Sequence, residues 1–265
     1  MTRGPGLLPL ASGRRAAYNS ARDMLWLGAF GLLVVLLILW AAVIAPRMGK
    51  KVFAGLEAKG WHTVAPEDET LRSALDALRP LNLGHSLPDD GRLPELTVLS
   101  ALARSGPDGT RYLVQVRSCG PDASVRANVV STNTLVLEPR RLGFSPGSVY
   151  VLARDRETRA RRTVEILGLQ SLETGLDPGF RGQFMVLQEA GAAARLPSPL
   201  QQALLASADL FIHGAGASGR HLPNVCVRLT PSGWAALVPE PIVTETQMQA
   251  FTDTAERLSQ GLSAA

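Results

Sequence analysis

One run of this chain, residues 24–45, consists of apolar residues and two glycines, whereas apolar and polar residues are interspersed in the rest of the chain. The run, MLWLGAFGLLVVLLILWAAVIA, contains no charged residue. A helix of about 22 residues is roughly 33 Å long, whereas the hydrocarbon core of a bilayer is about 30 Å thick. We therefore expect residues 24–45 to form a transmembrane helix.

Aromatic and basic residues flank this run. Tryptophan is enriched at membrane–water interfaces, and basic residues next to a span are attracted to anionic headgroups. Both types occur at the ends of residues 24–45 or just beyond them. The residues predicted to anchor the chain are Trp26, Trp40, Arg47, Lys50 and Lys51.

A cleaved signal peptide is the alternative interpretation of this run. The apolar region of a signal peptide is typically about 7–15 residues long and ends at a small-residue cleavage site. The run here is longer, and its best cleavage site, at 43–45, is followed by Pro46. The numbers of basic residues on the two sides nearly tie, but the tight cluster at 47–51 favours a cytoplasmic C-terminal domain.

Helical patterns follow the run. Residues 49–59 form a short amphipathic segment that we expect to be a helix at the membrane surface. In residues 66–79, a proline and then acidic residues occupy the first turn, which favours a helix, and Pro80 ends it. The apolar stripe of that second helix consists of Leu71, Leu75 and Leu78.

Two β-like runs follow, and in the second of them alternate residues form an apolar face, as expected of a half-buried strand. Residues 96–104 and 112–117 flank a turn at 105–110 that contains glycine, proline and aspartate, so the sequence predicts a hairpin. Further strands at 124–130 and 135–138 extend the hairpin into an antiparallel meander.

The second half of the chain mixes both patterns. We predict strands at 149–153, 182–188, 209–212, 224–229 and 234–238, and helices at 154–166 and 198–206. The last segment has one apolar stripe at helical spacing. That stripe consists of Met248, Phe251, Ala255, Leu258 and Leu262.

The predicted fold class is α+β, in which antiparallel strands pack with a few helices behind one N-terminal transmembrane helix. The predicted segments are an N-terminal arm (1–23), the transmembrane helix (24–45), a basic juxtamembrane helix and linker (46–65) and the globular domain (66–265).

The positive charge belongs to the membrane flanks. The chain has 27 Lys and Arg and 23 Asp and Glu, and its formal charge is +4. Residues 1–51 contain seven basic residues and one acidic residue, which leaves 20 basic and 22 acidic residues for the rest. A nucleic-acid-binding domain normally has a concentrated basic face. We therefore expect the lipid bilayer, and not nucleic acid, to be a partner.

Candidate chemistry is sparse. GAGASG at 214–219 has the spacing of a dinucleotide-binding loop, but no helical pattern follows it, so a hairpin loop is the better interpretation. His213, His221 and Cys226 match no standard spacing of metal ligands. Cys119 and Cys226 fit one disulfide or two free thiols equally well. We assign no catalytic residue, cofactor or metal.

Three short motifs carry a resemblance: GW at 60–61, RYL at 111–113 and GLDPGF at 175–180. Together with the basic segment before them, they resemble a loose group of uncharacterised bacterial membrane proteins. Members of that group have one span and a C-terminal α+β domain of unknown function. The resemblance covers roughly residues 47–262 and implies a cytoplasmic domain. It implies no activity and no functional residue.

The sequence therefore predicts a membrane-anchored, non-catalytic interaction module, an accessory or scaffold subunit that docks on a membrane complex or protein partner. Two alternatives stay open. One is a membrane-tethered enzyme, such as a hydrolase that uses His213 or His221, and the other is a sensor of a small ligand or lipid.

Overall fold

The computed structural model describes residues 26, 29–30, 32–35, 55–81, 87, 91, 93–122, 127–142, 147–154, 157–191, 195–206, 225–239 and 245–263. Contacts divide the chain into two compact units, Met1–Lys51 and Val52–Ala265. The predicted strand at 209–212, the loop at 214–219, His213 and His221 lie outside the described residues.

The second unit contains both a β-sheet and helices, which confirms the predicted α+β class. Its sheet contains nine strands among the described residues, in the order β1-β2-β3-β4-β9-β8-β5-β7-β6, and all the pairs are antiparallel. The strands are β1 (His62–Val64), β2 (Glu95–Gly106), β3 (Gly109–Asp122), β4 (Ala127–Pro139), β5 (Val149–Ala153), β6 (Leu169–Ser171), β7 (Phe184–Glu189), β8 (Cys226–Thr230) and β9 (Gly233–Val238).

Helices cover both faces of the sheet, because the buried side chains of its strands alternate between two apolar layers. The helices are α1 (Glu69–Leu78), α2 (Glu157–Ile166), α3 (Pro178–Gln183), α4 (Ser198–Leu205) and α5 (Glu245–Ser263). Residues of α3, α4 and α5 pack in the cluster on one face, which we call the α5 face. Residues of α1 and α2 pack in the clusters on the other, which we call the α1 face.

The predicted meander is confirmed. Strands β2 and β3 pair from Glu95↔Cys119 to Gly106↔Gly109, so only two residues form the turn. Strand β4 then pairs with β3 from Tyr112↔Leu137 to Asp122↔Ala127. It runs without a break through the strand predicted at 135–138 and through residues 127–130 of the strand predicted at 124–130, whose residues 124–126 lie outside the described residues. A register shift between Val98 and Ser100 marks a bulge in β2.

The helices predicted at 66–79, 198–206 and the C-terminus are confirmed, with small shifts at their ends. Helix α1 begins at Glu69, not Pro66, because Asp68 accepts a hydrogen bond from the Leu71 amide at 2.8 Å and caps the helix. Strand β7 begins at Phe184, since residues 182–183 end α3 instead. Strands β1 and β6 and helix α3 were not predicted from the sequence.

The domain includes residues that the sequence analysis assigned to the juxtamembrane segment 46–65. Leu56, which the pattern placed at the membrane surface, is 3% exposed and packs in the core of the α5 face, as does Trp61. Strand β1 follows directly and pairs with β2. Burial of Leu56 against the sheet removes its apolar surface from water without a membrane.

No helix among the described residues is long and apolar enough to cross a membrane. Within 24–45, the structure describes only seven residues; Trp26 is helical and 66% exposed. Trp40, Arg47, Lys50 and Lys51 lie outside the described residues. The transmembrane helix is therefore a prediction from the sequence that the structure does not show.

Candidate functional site

The cysteine and histidine candidates do not form a described site. Cys226 is fully buried in β8 and has a free thiol, and burial raises its pKa from 9.0 to about 12. Cys119 is exposed in β3 and is also free, so no disulfide joins the two. His62 is exposed in β1. The described residues contain no group of three or more His, Cys, Asp or Glu that could hold a metal ion.

Two other features have the geometry of a site, and the first is an ion-pair network beneath α5. Glu138 on β4 is the buried centre of this network, since its side chain is only 3% exposed. It accepts a 2.6 Å hydrogen bond from Arg111 Nε and a 2.9 Å hydrogen bond from Ser259 Oγ. Arg111 Nη1 also lies 2.6 Å from Glu256 on α5.

Arg140 closes the same network at the hairpin turn. Its guanidinium lies 3.2 Å from Glu138 and 3.0 Å from Asp108 in the turn between β2 and β3. It also donates to the Ser259 carbonyl at 3.1 Å and to Ser263 Oγ at 3.0 Å. The network therefore ties the turn, β4 and the last turns of α5 together.

The charges of this network balance. Three arginines (104, 111 and 140) pair with three carboxylates (108, 138 and 256). All of these residues except Arg140 line a cavity of about 290 Å³. Because these charges pair with one another, the cavity presents no unpaired charge to attract an ionic ligand. Its chemistry is that of a structural clamp between the sheet and α5.

The second feature is a groove between α1 and β2. Strand β1 pairs with Ala101–Ala103 of β2 and ends at Val64. Within the described part of the chain, no strand pairs with residues 95–100 of β2 on the side of β1. The chain leaves the sheet through Pro66 and Glu67 and returns as α1. A groove of about 390 Å³ therefore lies where β1 would continue.

The groove has an apolar floor and charged walls. Leu96 and Val98 of β2 are half-buried and contact the α1-face core, and Leu75 of α1 adjoins them. The walls contain both signs of charge. The charged residues that line the groove are Glu67, Arg72, Asp76 and Arg79.

Arg79 lines the groove and is partly buried. Burial lowers the pKa of its guanidinium from the ordinary value, and Asp76, one turn earlier, partly offsets that effect. Its backbone carbonyl accepts a 2.7 Å hydrogen bond from Arg228 Nη1 of β8, which fixes the end of α1 on the sheet. The C-terminal end of the α1 wall is therefore tied to β8.

A small apolar cavity of about 30 Å³ adjoins the groove. The two share Arg79 and Leu96 as lining residues. Leu81, Leu87 and Leu93 line its other side. A space of this volume holds about one water molecule or methyl group. The groove therefore adjoins a cavity that has room for the tip of an apolar side chain.

The fold and groove define an α+β protein with an incompletely paired strand beside a helix. No family model, curated protein or solved structure matches the chain. The function is therefore inferred from the chain's own residues.

Sequence reasoning missed both features. The pattern predicted β2 and α1, but it did not predict the three-residue β1, whose early end creates the groove. The available signal was the position of Pro66 soon after Trp61, because proline lacks the amide that would continue a strand.

Proposed function

We propose that this protein is a single-pass membrane protein whose C-terminal domain faces the cytoplasm and docks a protein partner without catalysing a reaction. In this proposal, residues 24–45 cross the bilayer, and Trp26, Trp40, Arg47, Lys50 and Lys51 anchor the span at its two interfaces. The domain serves as an accessory or scaffold subunit of a membrane complex.

The length of the linker supports a role at the membrane surface. The apolar run ends at residue 45, and the second compact unit begins at Val52. Six intervening residues span at most about 22 Å when fully extended. A domain on so short a linker meets partners that are themselves at the membrane.

The observation that carries the docking role is the groove between α1 and the unpaired part of β2. Its floor is apolar and its walls carry both charges, as expected of a surface that binds a polypeptide. Exposed strand edges are normally protected in monomeric proteins. An unpaired strand edge beside a helix is suited to binding a partner polypeptide.

The membrane part of the proposal is tested with Leu33→Arg, Val34→Arg and Leu37→Arg combined in the full chain. Arginine at the centre of a span costs about 2.5–3.5 kcal/mol of insertion free energy. We expect the unmodified protein to stay in the membrane pellet after alkaline carbonate extraction, and the variant to be lost from it. If alkaline carbonate removed both proteins from the membrane pellet to the same extent, residues 24–45 would not be a transmembrane span.

The docking part is tested by mild-detergent extraction from native membranes and quantitative mass spectrometry. We expect a stoichiometric protein to co-purify with the full chain. Thr97→Lys, at an exposed position on the open edge of β2, should remove it, whereas Thr174→Lys, at an exposed threonine elsewhere, should not. A clean monomer or homo-oligomer would argue against an accessory subunit.

A further inference from the structure

We propose that the groove takes an extended segment of a partner protein as an added β-strand, paired with residues 95–98 of β2 in line with β1. This inference rests on the proposed docking function and specifies the chemistry of the partner. Affinity would come mainly from backbone hydrogen bonds, and specificity from side chains that alternate between the groove and solvent.

The backbone of β2 supports this mode. Strand β3 pairs with β2 on one side along its whole length, from Glu95 to Gly106. On the other side, β1 is the only strand among the described residues that pairs with β2, and it pairs with three residues of it. The peptide groups of β2 before Ala101 therefore present N–H donors and C=O acceptors at strand spacing, which only another extended polypeptide matches.

The bulge in β2 defines the length of the open segment. The register with β3 shifts between Val98 and Ser100, and Leu99 is 40% exposed. A bulge interrupts regular pairing and bends its strand. The regular part of the open edge is therefore residues 95–98, enough for a segment of about four residues.

The side chains of the groove predict the pattern of the partner. Leu96 and Val98 are two residues apart, so they point to the same face, and Leu75 of α1 lies beside them. An added strand would place alternate side chains on this floor, one of them beside the adjoining apolar cavity. We expect apolar residues at alternate positions of the partner segment.

The walls favour a single free segment over a second copy of this chain. Pro66 and Glu67 close the groove at one end, and Arg72 and Asp76 of α1 line its length. A segment without further layers fits between these walls. A second β2 would bring its own α1 to the same sheet face at the shared edge, where the two α1 helices would compete for space.

The test selects linear twelve-residue peptides from a display library on the full-length protein in nanodiscs. The selected peptides are then synthesised with one N-methyl group at each backbone amide in turn. In a paired strand, the N–H groups of alternate residues face the same neighbour. We expect N-methylation at alternate positions to weaken binding about tenfold, and at the intervening positions less than twofold.

Two protein variants locate the site. Val98→Glu should abolish binding of the selected peptides, whereas Val130→Glu, at an exposed valine of β4, should leave it within twofold. Because Val98 is half-buried and contributes to folding, Thr97→Lys and Thr174→Lys provide an exposed pair for the same comparison.

Several outcomes would overturn strand addition. These are a library that yields no binder, binders without an alternating response to N-methylation, and binders unaffected by Val98→Glu or Thr97→Lys. A homodimer in nanodiscs that is lost in Thr97→Lys would assign the edge to a second copy instead. If a stoichiometric partner still co-purifies from native membranes, the docking function survives while this mode fails.

Discussion

Arg111 Nε lies 2.6 Å from the Glu138 carboxylate, and both side chains are almost entirely removed from water. Arg111 stands on β3 and Glu138 on β4, in adjoining strands of one antiparallel pair. Helix α5 covers them and contributes Glu256 and Ser259 to the same network. This relationship couples the hairpin of the sheet to the C-terminal helix.

Glu138→Gln should destabilise the domain strongly. The change leaves Arg111 and Arg140 buried without their shared carboxylate, and breaking one partner of a buried ion pair typically costs about 3–5 kcal/mol. Urea unfolding followed by tryptophan fluorescence measures the free energy of unfolding. Glu256→Gln is the control, because its side chain is 39% exposed and should cost less than about 1 kcal/mol. Equal losses would refute the buried role of Glu138.

Gly233→Ala should also destabilise the domain. Gly233 has φ = 144°, and a Cβ there would collide with the Glu138 carbonyl and lie 2.9 Å from Pro139 Cα. Backbone strain and overpacking each cost about 1–3 kcal/mol. Gly182→Ala in α3 is the control, since a Cβ meets nothing within 4 Å there and helix propensity favours alanine. Thermal unfolding should show a fall for the first variant and none for the second.

Asp68→Ala should cost about 1 kcal/mol of unfolding free energy. The substitution removes the acceptor of the Leu71 amide, and loss of an N-cap side chain costs about 0.5–2 kcal/mol. Asp68→Asn retains an acceptor oxygen and should lose much less. If urea midpoints of the two variants coincide well below that of the unmodified protein, the charge of Asp68 matters more than its hydrogen bond.

Stability should fall as the pH rises above about 9. Burial keeps the Cys226 thiol neutral in the folded domain up to a pKa of about 12, whereas in the unfolded chain it ionises near 9.0. Between these values the folded state binds the additional proton, so raising the pH favours unfolding. Cys226→Ala should show a shallower decline of the urea midpoint between pH 9 and pH 11 than the unmodified protein. An identical decline in both would contradict this assignment.

Local patterns predicted much of the fold because their periods and boundaries are visible in the sequence. The alternation in β2 and β3 flanks a turn, and the stripe of α5 keeps helical spacing from Met248 to Leu262. The elements that were not predicted are short or irregular. Strands β1 and β6 have three residues each, too few to show a period, and α3 is a six-residue helix with two glycines, which weaken a helical pattern.

Neither site feature was predictable, because each depends on elements that are distant in sequence. Glu138 pairs with Arg111 through the register of β3 and β4, and α5 reaches it from more than a hundred residues away. The groove depends on where β1 ends relative to β2. Nothing in local composition distinguishes Glu138 or Leu96 from other residues of the same type.

The most direct test of the account is site-specific photo-crosslinking in intact cells that express the full chain. A photoreactive amino acid replaces Thr97 in the groove or Thr174 at a distant exposed position. The account predicts a crosslink from position 97 to one membrane-associated protein, mapped by mass spectrometry to an extended segment, and none to that protein from position 174. Crosslinks from both positions alike, or from neither, would contradict it.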